Sequence, residues 1–345
     1  MTTISFKKQK VIHGYVFEEV SGKEINMNKR LQLCIPTLLG TESIVANEVR
    51  NLGYETTEVV DGRVTFEGDA QAICLANINL RCAERVMIKM AEFKATTFEM
   101  LFENVKAIEW EEYIGKDCAF LVKGHSLKSA LHSVPDCQSI IKKAIVESMK
   151  KGHNTKILSE TGNLYKIRVA LRKDIVSVML DTSGDGLHKR GYRRNSNEAP
   201  IKETLAAAMC HLTRLYPDTQ LYDPFCGSGT ILIEAALMAR NIYPGVFRKE
   251  YGFEKWADFD ADLFERIYND DSAECDFDYK LYGFDLNHHA VESARANAKN
   301  AGVADIVEIE QRDIRDFQQP EQKAIMITNP PYGERLKPED LYDIY

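Results

Sequence analysis

Apolar positions recur along this chain in two rhythms, and the rhythm changes near its middle. In the first half, Leu31–Pro36, Val64-Thr65-Phe66 and residues 119–124 are short apolar runs, which predicts strands. Residues 165–171 alternate apolar with polar, turn at Lys173-Asp174 and resume over 175–180, so a hairpin is expected. Helical spacing predicts helices over 42–52, ended by Gly53, over 70–78 and over 137–149. Together these describe an α+β module. From residue 220 strand and helix alternate instead. Gln220-Leu221-Tyr222 precedes a helical run over 231–238. Leu281–Asp285 precedes Ala290, Val291, Ala294 and Ala298 at helical spacing, with a stop at 300–302. Val307-Glu308-Ile309 and residues 323–328 complete four strands. That order predicts a doubly wound parallel sheet, which binds ligands at the carboxyl ends of its strands.

Polar residues gather at those ends. Asp223-Pro224-Phe225-Cys226-Gly227-Ser228-Gly229-Thr230 leaves the first strand and opens a helix. Glycines let a ligand approach the backbone, and the free N–H groups of a helix start face it. The third glycine of a dinucleotide fingerprint is absent, and no Gly-Lys-Ser/Thr follows as in a P-loop. A nucleoside with a charged amino-acid tail fits better, with Asp223 placed to meet an ammonium. Asp285 ends the second strand, where an acid can accept both hydroxyls of a ribose. Asp313-Ile314 lies past the third; for Asp313 a ligand contact and a helix cap stand as equal readings. Asn329-Pro330-Pro331-Tyr332 ends the fourth. Two prolines fix a rigid turn there. It would hold the Asn329 side chain and the Pro330 carbonyl as acceptors beside the Tyr332 ring, an arrangement suited to an exocyclic amino group on a flat base. By itself this run would read as an ordinary strand-to-loop turn; the glycine loop upstream changes the balance.

These motifs resemble class I S-adenosylmethionine-dependent amino-methyltransferases that carry an N-terminal THUMP domain. Asp181-Thr182-Ser183-Gly184, residues 187–193 and residues 199–206 are similar to the family's joining segment and to the helix before its first catalytic strand. Pro244-Gly245 and Phe253-Glu254-Lys255-Trp256 resemble an insertion of bacterial members. The likeness is nearest to large-subunit ribosomal RNA guanine-N2-methyltransferases. It covers roughly residues 31–345 and implies a ferredoxin-like subdomain over 31–96, THUMP over 97–181 and a Rossmann-like catalytic domain over 182–345; residues 1–30 read as a polar N-terminal extension outside it. It implies S-adenosyl-L-methionine as cofactor, held by Asp223, Phe225, Gly227, Gly229, Thr230, Asp285, Asp313, Ile314 and Asn329. Asn329, Pro330 and Tyr332 would be catalytic. RNA, 23S rRNA or its precursor, would be the partner.

Composition narrows this reading. The 345 residues are enough for two or three domains. No apolar run is long enough to span a bilayer. Eight cysteines lack any Cys-x-x-Cys spacing, so a zinc knuckle is not expected and free thiols of a reducing, cytoplasmic compartment are. No metal is expected. The net charge of −8 argues mildly against a polyanion partner, but acids concentrate between residues 258 and 278, as a solvated face within the insertion. Lys189, Arg190, Arg193 and Arg194 cluster around Tyr192, the pattern of a phosphate clamp with a stacking ring or of a solvated linker; the family likeness favours the clamp. Relatives continue past the Asn-Pro-Pro-Tyr strand, whereas this chain stops at Tyr345 inside an expected helix. The catalytic domain is therefore expected to lack its C-terminal flank, and the activity belongs first to the intact protein. Two alternatives follow: a non-catalytic RNA-binding remnant, and an adenine-N6 DNA methyltransferase, which shares Asn-Pro-Pro-Tyr.

Overall fold

The computed structural model describes residues 30–193, 200–213, 219–257, 259–318 and 323–331. Two sheets organise them. The first is built from β1 (Leu31–Pro36), α1 (Glu42–Asn51), β2 (Thr56–Val60), β3 (Arg63–Gly68), α2 (Ala70–Asn79), β4 (Met87–Lys94), α3 (Phe98–Lys106), β5 (Ala119–Leu127), α4 (Val134–Gly152), β6 (Leu164–Arg172) and β7 (Ile175–Asp181). Its seven strands run in the order β2-β3-β1-β4-β7-β6-β5, all antiparallel except the β5–β6 pair. The segments expected as two subdomains, 31–96 and 97–181, thus share one sheet, joined where β4 pairs β7. Period-two alternation puts Tyr165, Ile167, Val169 and Leu171 of β6 into the core and leaves Lys166, Arg168 and Arg172 on the opposite face. The expected hairpin is present. Lys173 and Asp174 have φ of 52° and 65°, the positive pair that matches a two-residue turn to strand twist.

The second half follows with α5 (Glu203–Thr213), β8 (Gln220–Asp223), α6 (Thr230–Ala239), α7 (Ala261–Tyr268), β9 (Leu281–Asp285), α8 (His288–Asn300), β10 (Val307–Gln311) and β11 (Ala324–Met326). The strands form a parallel sheet in the order β10-β9-β8-β11. The order reverses at β8, so the crevice between the ends of β8 and β11 is the topological switch point. Leu232, Leu237, Val291, Ala294 and Ile309 pack a second core around this sheet.

The insertion after α6 is more than a solvated face. Tyr251, Phe253 and Phe264 are buried in the core of the N-terminal sheet, and α7 packs on α2. The acids of α7 point outward while Phe264 points in. Hydroxyl and aromatic contacts tie the insertion down further: Tyr251 donates to the Gly245 carbonyl, and Trp256 stacks on Tyr165 at 5.4 Å. Asp258 lies outside the described residues, as do residues 1–29 and the segment from Tyr332 to Tyr345.

Candidate functional site at the carboxyl ends of the parallel sheet

The glycine loop leaves β8 at Asp223 and is pinned from both sides. The Cys226 N–H donates to the Phe284 carbonyl at 2.9 Å, and the Gly229 N–H donates to the Cys226 carbonyl at 2.8 Å. Gly227 and Gly229 adopt φ of +52° and +78°, where a side chain would strain the backbone. Around Gly227 there is open space where a Cβ would stand, whereas at Gly229 a Cβ would crowd Ala294 of α8. One glycine therefore keeps a ligand path clear, and the other seats helix against helix.

Asp285 closes the loop at its far side. Its carboxylate accepts the Gly227 N–H at 2.9 Å and the Asn287 N–H at 2.8 Å. The side chain is half-buried, so it keeps a solvent-facing edge for further hydrogen bonds. Asp313 caps the short 3-10 turn Ile314–Asp316 by accepting the Arg315 N–H at 3.0 Å. The Arg315 guanidinium bonded to it lowers its pKa to about 2. Asp313 thus caps this turn at the end of β10, beside the half-buried Ile314, and the cap leaves the ligand reading open. Tyr222 stacks on Tyr282 at 5.0 Å, and Phe317 meets Tyr222 and Phe284 edge-on or tilted, so aromatic rings flank the strands that carry these acids.

Asp223 is 1% exposed. Burial pushes its carboxyl up to about 7, and the nearby Asp285 charge acts in the same direction. Two donors oppose the shift. The Thr328 hydroxyl donates to Asp223 Oδ1 at 2.7 Å, and the Phe225 N–H donates to the same oxygen at 3.3 Å. Thr328 immediately precedes Asn329. Backbone pairing between β8 and β11 continues only to the Ile327 N–H, which donates to the Tyr222 carbonyl at 3.0 Å. The Thr328–Asp223 bond is therefore a side-chain bridge across the opening crevice. Sequence reasoning missed Thr328; its place just before Asn-Pro-Pro, opposite a buried acid, was the available signal. Asn329 is exposed at the sheet's end with Pro330 half-buried beside it, while Tyr332 lies outside the described residues.

The 189–194 cluster is corrected by the structure. Arg190 and Tyr192 are 2% and 1% exposed and cannot present a phosphate clamp or a stacking ring to RNA. Both serve Glu234, a buried acid on α6. Arg190 lies 3.4 Å from Glu234 Oε2, and the Tyr192 hydroxyl donates to Oε1 at 3.0 Å. Burial and the Glu234 charge push the Tyr192 hydroxyl well above its usual range. Arg193 is spent on Glu203 at 3.1 Å and on the Thr230 hydroxyl at 2.9 Å, so Thr230 is itself buried and engaged. The physical reason is that a buried carboxylate demands a buried partner. The sequence displays the cations but not the acid that claims them. Lys189 alone of the described four is exposed, and it pairs with Asp185 at 3.3 Å; Arg194 lies outside the described residues. Arg190 also donates to the Leu187 and Arg81 carbonyls. The segment is thus a strut between the N-terminal sheet and the helix behind the glycine loop.

One group of metal-ligating types occurs among the described residues: Glu48, Cys82 and His211, with ligand atoms within 4.8 Å of one another. The Glu48 carboxylate already accepts the backbone N–H groups of Arg81 and Cys82 at 3.2 and 3.1 Å and lies 3.2 Å from His211 Nε2. Burial pushes the Cys82 thiol far up, away from the thiolate a metal needs. The group acts as a latch between α1 and α5.

Residues 32–87 match the RlmL ferredoxin-like domain, 95–181 the THUMP domain and 190–344 the RMKL-like methyltransferase domain. The chain is 47% identical over 312 residues to the protein named "Putative RNA methyltransferase YpsC" of Bacillus subtilis, covering 89% of this chain and 80% of that one. Two solved structures superpose closely. One, titled a predicted N6-adenine-specific DNA methylase from Listeria monocytogenes, has 45% identity and a TM-score of 0.87 over 92% of this chain and 84% of its own. The other, SMU.472, titled a putative methyltransferase complexed with SAH, has 42% identity and a TM-score of 0.85 over 92% and 85%. The glycine loop and its flanking acids stand at the switch point of the parallel sheet, and the chain belongs to the THUMP-containing, RMKL-like family of S-adenosylmethionine-dependent methyltransferases.

Proposed function

We propose that the protein methylates the exocyclic N2 amine of a guanosine in RNA, with large-subunit ribosomal RNA as the substrate. The observation that carries this reading is the bridge at the switch point. It brings the end of β8, with its ligand loop, to the residue before Asn329. S-adenosylmethionine supplies a methyl group on a sulfonium, open to direct attack by an amine. The chain's residues supply placement. Asp285 takes the ribose hydroxyls, Asp313 and Ile314 hold the adenine, and Asp223 meets the ammonium, with Gly227 beneath the methionine part. Phe225 and Thr230, both uncharged, shape the loop around the ligand, with the Thr230 hydroxyl held by Arg193.

The target base leaves its stack to enter the crevice. Its N2 lone pair is delocalised into the ring and is a poor nucleophile. The Asn329 side-chain oxygen and the Pro330 carbonyl accept the two amino hydrogens and turn the lone pair towards the methyl group. Tyr332 lies against the base. These contacts orient the reactants and stabilise the positive charge that develops on nitrogen as the S–CH3 bond breaks; the neutral thioether leaves, and the surplus amino proton is given up to solvent. RNA as substrate is supported by the THUMP match and by the name of the Bacillus relative, and it implies a cytoplasmic enzyme. Among the described residues no helix is long and apolar enough to cross a membrane.

A second reading has its own support. The Listeria structure's title names an N6-adenine DNA methylase, and the Asn329 acceptors would suit an adenine N6 amine equally. Incubation with labelled cofactor and either deproteinised ribosomal RNA or duplex DNA, followed by nucleoside mass spectrometry, separates the two. N2-methylguanosine in RNA is expected. N6-methyladenine in DNA, with unlabelled RNA, would replace this reading by the second.

A further inference from the structure

With Arg190 and Tyr192 buried and Arg193 engaged by Glu203, the cations that could meet an RNA backbone must lie elsewhere. Two basic surfaces remain on the N-terminal module. The first is α4, with Lys142, Lys143, Lys150 and Lys151. Two of these four are engaged, while Lys150 and Lys151 form no ion pair among the described residues. Lys142 pairs with Glu160 at 3.6 Å and lies over the Phe120 ring, Lys143 lies over Phe102, and neighbouring Lys106 pairs with Glu147 at 3.2 Å.

The second surface is the sheet face turned away from the helices. Its centre carries the small cluster Cys34, Met87 and Met179, with Ala170 against it. Long charged side chains lie across this cluster, and each cation is paired with an acid. Arg63 bridges Glu58 and Glu92 at 3.0 and 3.1 Å, Lys89 meets Glu92 at 3.2 Å, and Arg85 and Arg168 share Asp181 at 2.7 and 3.1 Å.

One corner of that sheet differs. Here β4 ends at Lys94, β5 gives way to Lys128, and β6 ends at Arg172 before the turn residue Lys173. Pairing brings these ends together. Leu127 stands opposite Arg172, Lys94 opposite Ile175, and the Lys173 N–H donates to the Leu127 carbonyl at 3.1 Å. Lys123 lies on the same face as Arg172, two rungs inward and opposite Arg168. Arg168 is spent on Asp181, whereas among the described residues no acid forms an ion pair with Lys94, Lys123, Lys128, Arg172 or Lys173. The one acid of the turn, Asp174, is occupied by the Ala130 N–H at 2.7 Å. Leu127 and Ile175, 53% and 41% exposed, stand between the cations. A chain with a net charge of −8 thus keeps five unpaired cations together at one place.

We propose that this corner, formed by Lys94, Lys123, Lys128, Arg172 and Lys173, is the dock for the phosphate backbone of a folded RNA. The proposal rests on the RNA reading above for its choice of polyanion. Strand ends spaced about 4.8 Å apart hold cations in fixed rows, which suits a backbone with regularly spaced charges. Such contacts position the RNA and carry no sequence preference. The base to be modified is then chosen at the crevice, and grip and choice are separate tasks on separate sheets.

The test uses the full chain and deproteinised ribosomal RNA as probe, with a DNA duplex as second probe, across a salt series. Lys94→Gln, Lys123→Gln and Arg172→Gln are combined; all three stand at strand positions with ordinary backbone angles. A control combines Lys143→Gln, Lys150→Gln and Lys151→Gln on α4. The sheet-face triple should bind ribosomal RNA at least about tenfold more weakly near physiological salt. Its log–log salt slope should be shallower by about 2, the amount for three lost phosphate contacts. Melting temperature and cofactor affinity should match wild type. Replacing the same lysines by arginine should preserve binding. Wild-type affinity and slope in the sheet-face triple would overturn the proposal, as would a loss confined to the α4 control. If wild-type protein prefers the DNA duplex, the RNA reading fails first, and the triple read on DNA still decides whether this corner is the dock.

Discussion

The two sheets of this protein solve opposite problems. In the seven-stranded sheet, antiparallel pairing lets one face carry the core while the other stays wet. Its chemistry, ion pairs over a thin apolar layer with spare cations at a corner, lies on that wet face. In the four-stranded sheet, parallel pairing requires both faces to be covered, and Leu232 of α6 and Val291 of α8 are accordingly buried. Only the strand ends remain for chemistry. Asp223, Asp285 and Asn329 sit there, on three adjacent strands. A sheet that is open on one face can grip a large partner, whereas a sheet that is closed on both can only present a crevice at its edge.

The largest expected effect comes from breaking the strut that joins the two. Glu234→Ala leaves Arg190 buried without its counter-charge and the Tyr192 hydroxyl without its acceptor. Removing one partner of a buried pair costs about 3–5 kcal/mol. Chemical denaturation should register a loss of that size. A variant within about 1 kcal/mol of wild type would show that the pair is spectator to the fold.

Next in size is the chemistry of the crevice. Asn329→Ala in the intact protein should leave cofactor affinity nearly unchanged and slow single-turnover methyl transfer by about 10²-fold, the scale for one preorganised polar group at a reacting centre. If Tyr332 supplies a stacking ring, as proposed, Tyr332→Phe should be mild and Tyr332→Ala severe. A wild-type rate in Asn329→Ala would remove the acceptor role. Asp285→Ala should act on the other half of the crevice, weakening cofactor binding by about 1–3 kcal/mol in calorimetric titration. The same variant also frees the Gly227 N–H, so the glycine loop should become less protected from hydrogen exchange.

The contrast also explains what could be read from the sequence. Strands whose alternation is unbroken, such as β6 with its turn at Lys173-Asp174, were legible, as was the whole β8-to-β11 order. The strand β4 was not, because the register shifts between Lys89 and Ala91 and the bulge scrambles its period. Helix α3 was not, because only Leu101 and Val105 of its nine residues are buried. In the site, backbone-defined features such as the glycine loop and the strand-end acids were visible as motifs. Features that depend on a partner far away in sequence were hidden. Glu234 looked like one polar residue in an apolar helix, yet it turned Arg190 and Tyr192 inward. The exposed corner at Lys94, Lys128 and Arg172 was equally invisible, since 78 residues separate its first member from its last.

The smallest effect is the one that sharpens the crevice most, because it turns on a single proton. Asp223 sits at the switch point with its pKa raised to about 7 by burial, against an ordinary value near 3.8. Without ligand it is thus protonated over much of the mildly acidic range. A bound ammonium favours the charged form. Cofactor affinity should therefore rise as pH rises through about 7, and binding at pH 6 should release close to one proton. Calorimetry in buffers of different ionisation enthalpy measures that release directly. The neighbours fix the sign of two further shifts. The Thr328 hydroxyl favours the carboxylate, so Thr328→Val should move the acid limb to higher pH by about 0.5–1 unit, the worth of one hydrogen bond, and Thr328→Ser should restore it. The Asp285 charge disfavours the carboxylate, so Asp285→Asn should move the limb the other way. In the Thr328→Val enzyme methyl transfer should also slow modestly at every pH, because the bridge to the residue before Asn329 is gone. An affinity that stays flat from pH 5.5 to 8.5 would mean that Asp223 does not meet the ammonium. A Thr328→Val enzyme with the wild-type limb would mean that the two strand ends are held together by backbone alone.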